Sequence, residues 1–379
     1  AAAVVTQLAS ANVTLQATND ITLATGLTSA SANALTLQAG NNINLNAAVT
    51  LGGALTLSAN DPGGPASGIG RVASSTGINI GAAALRITNN GGSGIHTLGN
   101  VIAAGNVAVV GNVQLVTSTQ LNLGSGLSSI PGVISGGVNE AFTKNGAGTL
   151  VLTVNNTYAG VTLINAGTLR IAGATAAPGT GLVSLGGGTL DLTDGAILTR
   201  GLNVGFGSNG LANSSGAATI TGNISINGNL AVNSSGSGIL ISGSLGGSTS
   251  SLALNSGTLT LTAGNSGFFG STSINAGTLR VSGTGAGLAG SVSVEAAGTL
   301  DIANGATLGS FGSVASAGGT IGSSAGTGTL NGFVSTQAGV NTFGIAKNNL
   351  QNVPKSYPSA WSWPNPGPAL PQQFFFTRT

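Results

Sequence analysis

Apolar and polar residues alternate along most of the chain in short runs such as Thr149-Leu-Val-Leu-Thr153 and Thr258-Leu-Thr-Leu-Thr262. A period of two puts leucines on one face of an extended segment and threonines on the other. The runs end at Gly, Asn or Ser, residues suited to turns. No heptad and no charged helical face interrupts them. The pattern predicts many short strands and no helix.

The strands recur at a nearly fixed interval. Gly-Thr-Leu begins at Gly148, Gly167, Gly188, Gly257, Gly277, Gly298 and Gly328. Most of these steps are close to one another in length, and the long gap after Gly188 hides further units. There, Thr219-Ile-Thr-Gly-Asn-Ile224 returns as Leu240-Ile-Ser-Gly-Ser-Leu245. Near the start, Val13-Thr-Leu-Gln-Ala17 returns as Leu35-Thr-Leu-Gln-Ala39. A longer period is superposed. INAGTLR stands at residues 164–170 and again at 274–280, and the same offset links Tyr158 to Phe268 and Asp191 to Asp301. This reads as duplication of about five units.

A repeat of this length is too short for a propeller blade and lacks the consensus of a leucine-rich repeat. The expected fold class is all-β: a parallel β-helix (β-solenoid) with about 20–22 residues per coil, in which each coil stacks on the last and like residues lie over like. Some sixteen coils are expected over residues 1–345. Composition agrees. Charged residues are only 4% of the chain, and a charge repeated in every coil would face its copy at about 4.8 Å. The net charge of +2 comes without a basic cluster, so no nucleic-acid partner is expected. The absence of cysteine removes disulfides and thiolate metal sites. Methionine is also absent, even at the start, so the chain reads as a processed product or a fragment.

Residues 145–173, NGAGTLVLTVNNTYAGVTLINAGTLRIAG, resemble the autotransporter-associated β-strand repeat of bacterial passenger domains. Lys144, Gly148-Thr-Leu150, Asn156-Thr-Tyr158, Gly160 and residues 164–169 carry the resemblance, and the second copy departs from it at Leu254 and Phe268. LTLQAGNNINLNAAV and ITLATG in the N-terminal third are similar to repeats of filamentous haemagglutinin-type exoproteins. Both families form right-handed parallel β-helices, so the resemblance implies a right-handed parallel β-helix serving as a non-enzymatic stalk, secreted or displayed outside a Gram-negative outer membrane. Such a stalk would space or present an adhesin's binding region. The partners it implies are host or bacterial cell-surface glycans or matrix proteins. It also implies a membrane barrel or partner transporter for secretion, which this sequence does not show. Three regions are expected: haemagglutinin-like coils over 1–125, continuous autotransporter-repeat coils over 126–345, and a Pro- and aromatic-rich tail over 346–379 acting as linker or cap.

Parallel β-helices also carry polysaccharide lyases and glycosidases, the alternative function. That chemistry needs paired carboxylates. Asp191 and Asp194 are near neighbours, but Asn304 replaces Asp194 in the duplicate. A turn accepts that exchange and acid–base catalysis does not. His96, the single histidine, has no evident partner for a triad or a zinc site. No catalytic residue, metal ligand or cofactor is expected. Arg170 and Arg280, expected to face water, are candidate contacts for an acidic glycan.

Overall fold

The computed structural model describes residues 1–344 apart from 62–67, 75, 81–82, 91, 104, 266, 309–312, 327, 331–332 and 337–341. The expected tail, 346–379, lies outside the described residues. Parallel strands stack as a β-solenoid of about 14 turns. The chain separates into two units, Ala1–Arg200 and Gly201–Thr379.

In the first unit each coil carries up to three strands. Val13–Ala17, Ile21–Leu23 and Leu27–Ser29 are followed by Leu35–Ala39, Ile43–Leu45 and Val49–Leu51. The coils pair in parallel with like over like: Leu15 on Leu37, Gln16 on Gln38, Ile21 on Ile43 and Leu27 on Val49. Alternation then fills the interior. Leu35, Leu37, Ile43, Leu45, Val49 and Leu51 are all buried while the alternating Thr36, Asn44 and Thr50 are not. Each such side chain contributes roughly 1.5–3 kcal/mol of burial.

Coil length is uneven. Leu35 pairs with Leu55, and Leu85 with Val107, each one ordinary coil apart. The pairing between them, Leu55 with Leu85, spans a much longer stretch. The additional residues fall between the strands Leu55–Ser58 and Val72–Ser74. One outsize coil accounts for part of the difference between about 14 turns and the sixteen expected.

The expectation of no helix is wrong at the N-terminus, where Ala2–Leu8 is helical. Leu8 is fully buried there, and Asn33 Nδ2 donates to the Leu8 carbonyl at 2.9 Å. An isolated helix this short is unstable in water, so its packing on the first coil sustains it.

The second unit follows the same rule. One buried column runs Leu211, Val232, Leu254, Ile274 and Val294; another runs Ile220, Ile241, Leu261, Val281 and Ile302. Two long strands, Ser271–Ser282 and Val292–Ala303, pair through a register shift between Ile274 and Ala276. At the corners, asparagine side chains reach from one coil to the next. Asn12, Asn100, Asn112 and Asn223 each accept a backbone N–H from the following coil, from Ala34, Gln120, Val133 and Ser244 at 2.8–3.1 Å. These bonds satisfy amides that no strand pairing reaches.

Candidate functional site

The two INAGTLR copies place their residues alike. Ile164 and Leu169, and Ile274 and Leu279, point inward with no exposed surface. Gly167 and Gly277 take positive φ, 64° and 87°. A Cβ on Gly167 would lie 2.4 Å from the carbonyl oxygens of Gly146 and Gly148, so the corner admits only glycine.

The arginines are not simply solvated. Arg170 stacks in register over Asp191, and Arg280 over Asp301. Arg170 Nε lies 2.8 Å from Asp191 Oδ2, and Arg280 Nε lies 3.3 Å from Asp301 Oδ2. In the second copy Ser324, one coil further on, donates its backbone N–H to Asp301 Oδ1 and its hydroxyl to Oδ2, at 2.8 and 2.7 Å. Arg280 Nη2 donates to that same hydroxyl at 2.8 Å. The aspartates are nearly buried, whereas the arginine side chains stay 35% and 36% exposed. An arginine over an aspartate turns the close coil spacing, repulsive for like charges, into an attraction.

Asp194 and Asn304 take left-handed backbone, φ 56° and 52°, each before a positive-φ glycine, Gly195 or Gly305. Both are turn residues, which explains their interchange. Asp20 accepts from the Asn42 backbone, Asp61 from the Ser58 hydroxyl, and Glu295 from the Ser293 hydroxyl. Among the described residues no three His, Asp or Glu side chains gather as a metal-ligand group.

Several buried polar groups, given no role by sequence, act as ties between coils. Lys144 is fully buried. Its Nζ donates to the carbonyls of Asn145, Gly146 and Ala166 at 3.0, 2.7 and 3.1 Å. Burial pushes its pKa down to about 8. His96 is also fully buried, with Nδ1 accepting from the Val72 N–H at 3.0 Å and Nε2 donating to the Val110 carbonyl at 3.1 Å. Desolvation lowers its pKa against the two backbone bonds. Asn156 accepts from the Ile134 N–H and donates to the Ala177 carbonyl, and Asn265 accepts from the Leu245 N–H. Tyr158 is buried against Phe142 with ring centroids 5.6 Å apart. Thr162 donates to the Pro178 carbonyl, so the Tyr158 hydroxyl donates to Thr162, at 2.7 Å. Burial raises the Tyr158 pKa. Phe268, fully buried, occupies the duplicate position without a hydroxyl.

Residues 142–171 and 254–281 match the passenger-associated-transport-repeat family model. Each matched segment holds one INAGTLR, its buried aromatic and its arginine. The match supports an autotransporter passenger domain, and with it secretion or surface exposure. No curated protein and no solved structure matches the chain. No described helix is long and apolar enough to cross a membrane.

Proposed function

We propose that the chain is a non-enzymatic stalk of an autotransporter passenger that spaces or presents an adhesive region towards host or neighbouring-cell glycans or matrix proteins. The observation that carries this reading is the passenger-repeat match to two segments that fold as in-register coils. Residues 1–125 belong to the same stalk as haemagglutinin-like coils, a reading supported by the like-over-like ladder of Val13–Ala17 on Leu35–Ala39. Arg170 and Arg280 remain candidate contacts for an acidic ligand, since about a third of each side chain is open.

The test is to fuse the chain to an outer-membrane transporter barrel in Gram-negative cells and probe with external protease and cell-binding assays. Surface cleavage together with adhesion to glycan- or matrix-coated wells is expected. A chain that folds in the cytoplasm and is never exposed overturns the stalk. Release of reducing ends from a polysaccharide panel by the purified chain overturns the non-enzymatic part and revives the lyase or glycosidase alternative.

A further inference from the structure

Two exposed phenylalanines in the second unit share one corner of the solenoid. Phe206 lies between the strands Leu202–Val204 and Ser208–Asn213, and Phe269 between Gly267–Phe268 and Ser271–Ser282. They are 84% and 52% exposed. Register connects them: Val204 pairs with Ile226 and Ser208 with Asn229; Gly246 pairs with Gly267 and Ser251 with Ser271. The corner therefore passes from Phe206 through Asn227 and Thr249 to Phe269, three coils on. At the strand spacing of a sheet that is about 14 Å along the coil axis.

The surface between the two rings is polar and uncharged. Asn227, Ser248 and Thr249 are exposed. Asn227 donates to Asn203 at 2.9 Å, and Ser251 to Asn229 at 2.8 Å, forming short ladders beside the corner. No ionisable side chain occurs between Arg200 and Arg280. A nucleic acid or a sulfated chain finds no cation here. A charged protein surface would be desolvated without a counter-charge.

We propose that this corner binds a neutral polysaccharide laid along the coil axis. The proposal rests on the surface-stalk reading and adds a ligand class and a location to it. Sugar rings have apolar C–H faces and hydroxyl edges. The faces pack on Phe206 and Phe269 by dispersion and area burial, and the hydroxyls meet the amides and hydroxyls between them. Rings of an extended chain recur at close to the coil spacing, so a ligand touching both phenylalanines needs about four rings.

The experiment measures binding of the purified full chain to neutral glucan, mannan and galactan oligosaccharides of increasing length, beside uronic-acid and sulfated chains. Binding to a neutral hexamer but not to the dimer is expected, unchanged between low and high salt. Phe206→Ser and Phe269→Ser should each weaken it roughly tenfold, about 1.4 kcal/mol, and the double variant should lose it with its thermal unfolding unchanged. The proposal is overturned if only acidic chains bind, if no glycan binds, or if the double variant binds as before. It is also overturned if the corner proves to hold a protein or a second copy, seen as variant-sensitive association without sugar. If displayed cells carrying the double variant adhere normally, the stalk reading survives and this inference fails. If the chain is never displayed, the stalk fails, while binding by the purified chain still decides the corner.

Discussion

His96 joins three coils through one imidazole, and only its neutral form has both an acceptor for Val72 and a donor for Val110. Its pKa is lowered on folding, so the folded chain binds this proton less readily than the unfolded one. The stability it contributes is complete above about pH 6.5 and declines as pH falls below that value. Thermal unfolding at pH 7.5 and 5 should show this loss, and His96→Gln should flatten it. Arg170→Met removes the cation beside the nearly buried Asp191 and should cost about 1–3 kcal/mol in urea unfolding, less than for a fully buried pair because the arginine is partly solvated. The double variant Arg170→Met with Asp191→Leu should recover most of that. Among the described residues the buried Ser250 hydroxyl has no hydrogen-bond partner; Ser250→Ala should be neutral or stabilise by up to about 1 kcal/mol. The Arg–Asp pairs were legible in the sequence, since each arginine precedes an aspartate by one coil length. Reading charges singly hid them. The roles of Lys144 and His96 were not legible, because their partners are backbone groups that every sequence supplies.

At the scale of the element, corners carry more constraint than strands. Strands ask only for alternation: Thr260 pairs with Arg280 and Leu261 with Val281 in one undisturbed ladder. The corner at Gly167 combines positive φ with two carbonyl oxygens where a Cβ would be. Gly167→Ala should therefore cost about 2–4 kcal/mol. Gly246→Ala is the control: its added Cβ meets nothing within 4 Å, so the melting temperature should barely move. Turn chemistry was readable at Asp194 and Asn304, since an exchange between those two residues preserves left-handed backbone. The helix Ala2–Leu8 was not readable. So short a segment cannot show a period, and tertiary packing of Leu8 decides the outcome.

Across the whole molecule, period and composition foretold a stack of parallel coils, but not the number of turns. An insertion such as that between Ser58 and Val72 changes coil length without changing the local alternation on either side. The scarcity of charge makes a general prediction: raising salt from about 0.05 to 1 M should move the unfolding midpoint by no more than about 2 °C, because little electrostatic energy is there to screen. Stacking in sequence has a further consequence for assembly. Most paired strands are one coil apart, so each added coil closes a loop of nearly constant length, at about 2.7 kcal/mol by the logarithmic rule. The expense is the same for a late coil as for an early one. Growth then resembles polymerisation on a seed: one slow nucleus, followed by equal steps.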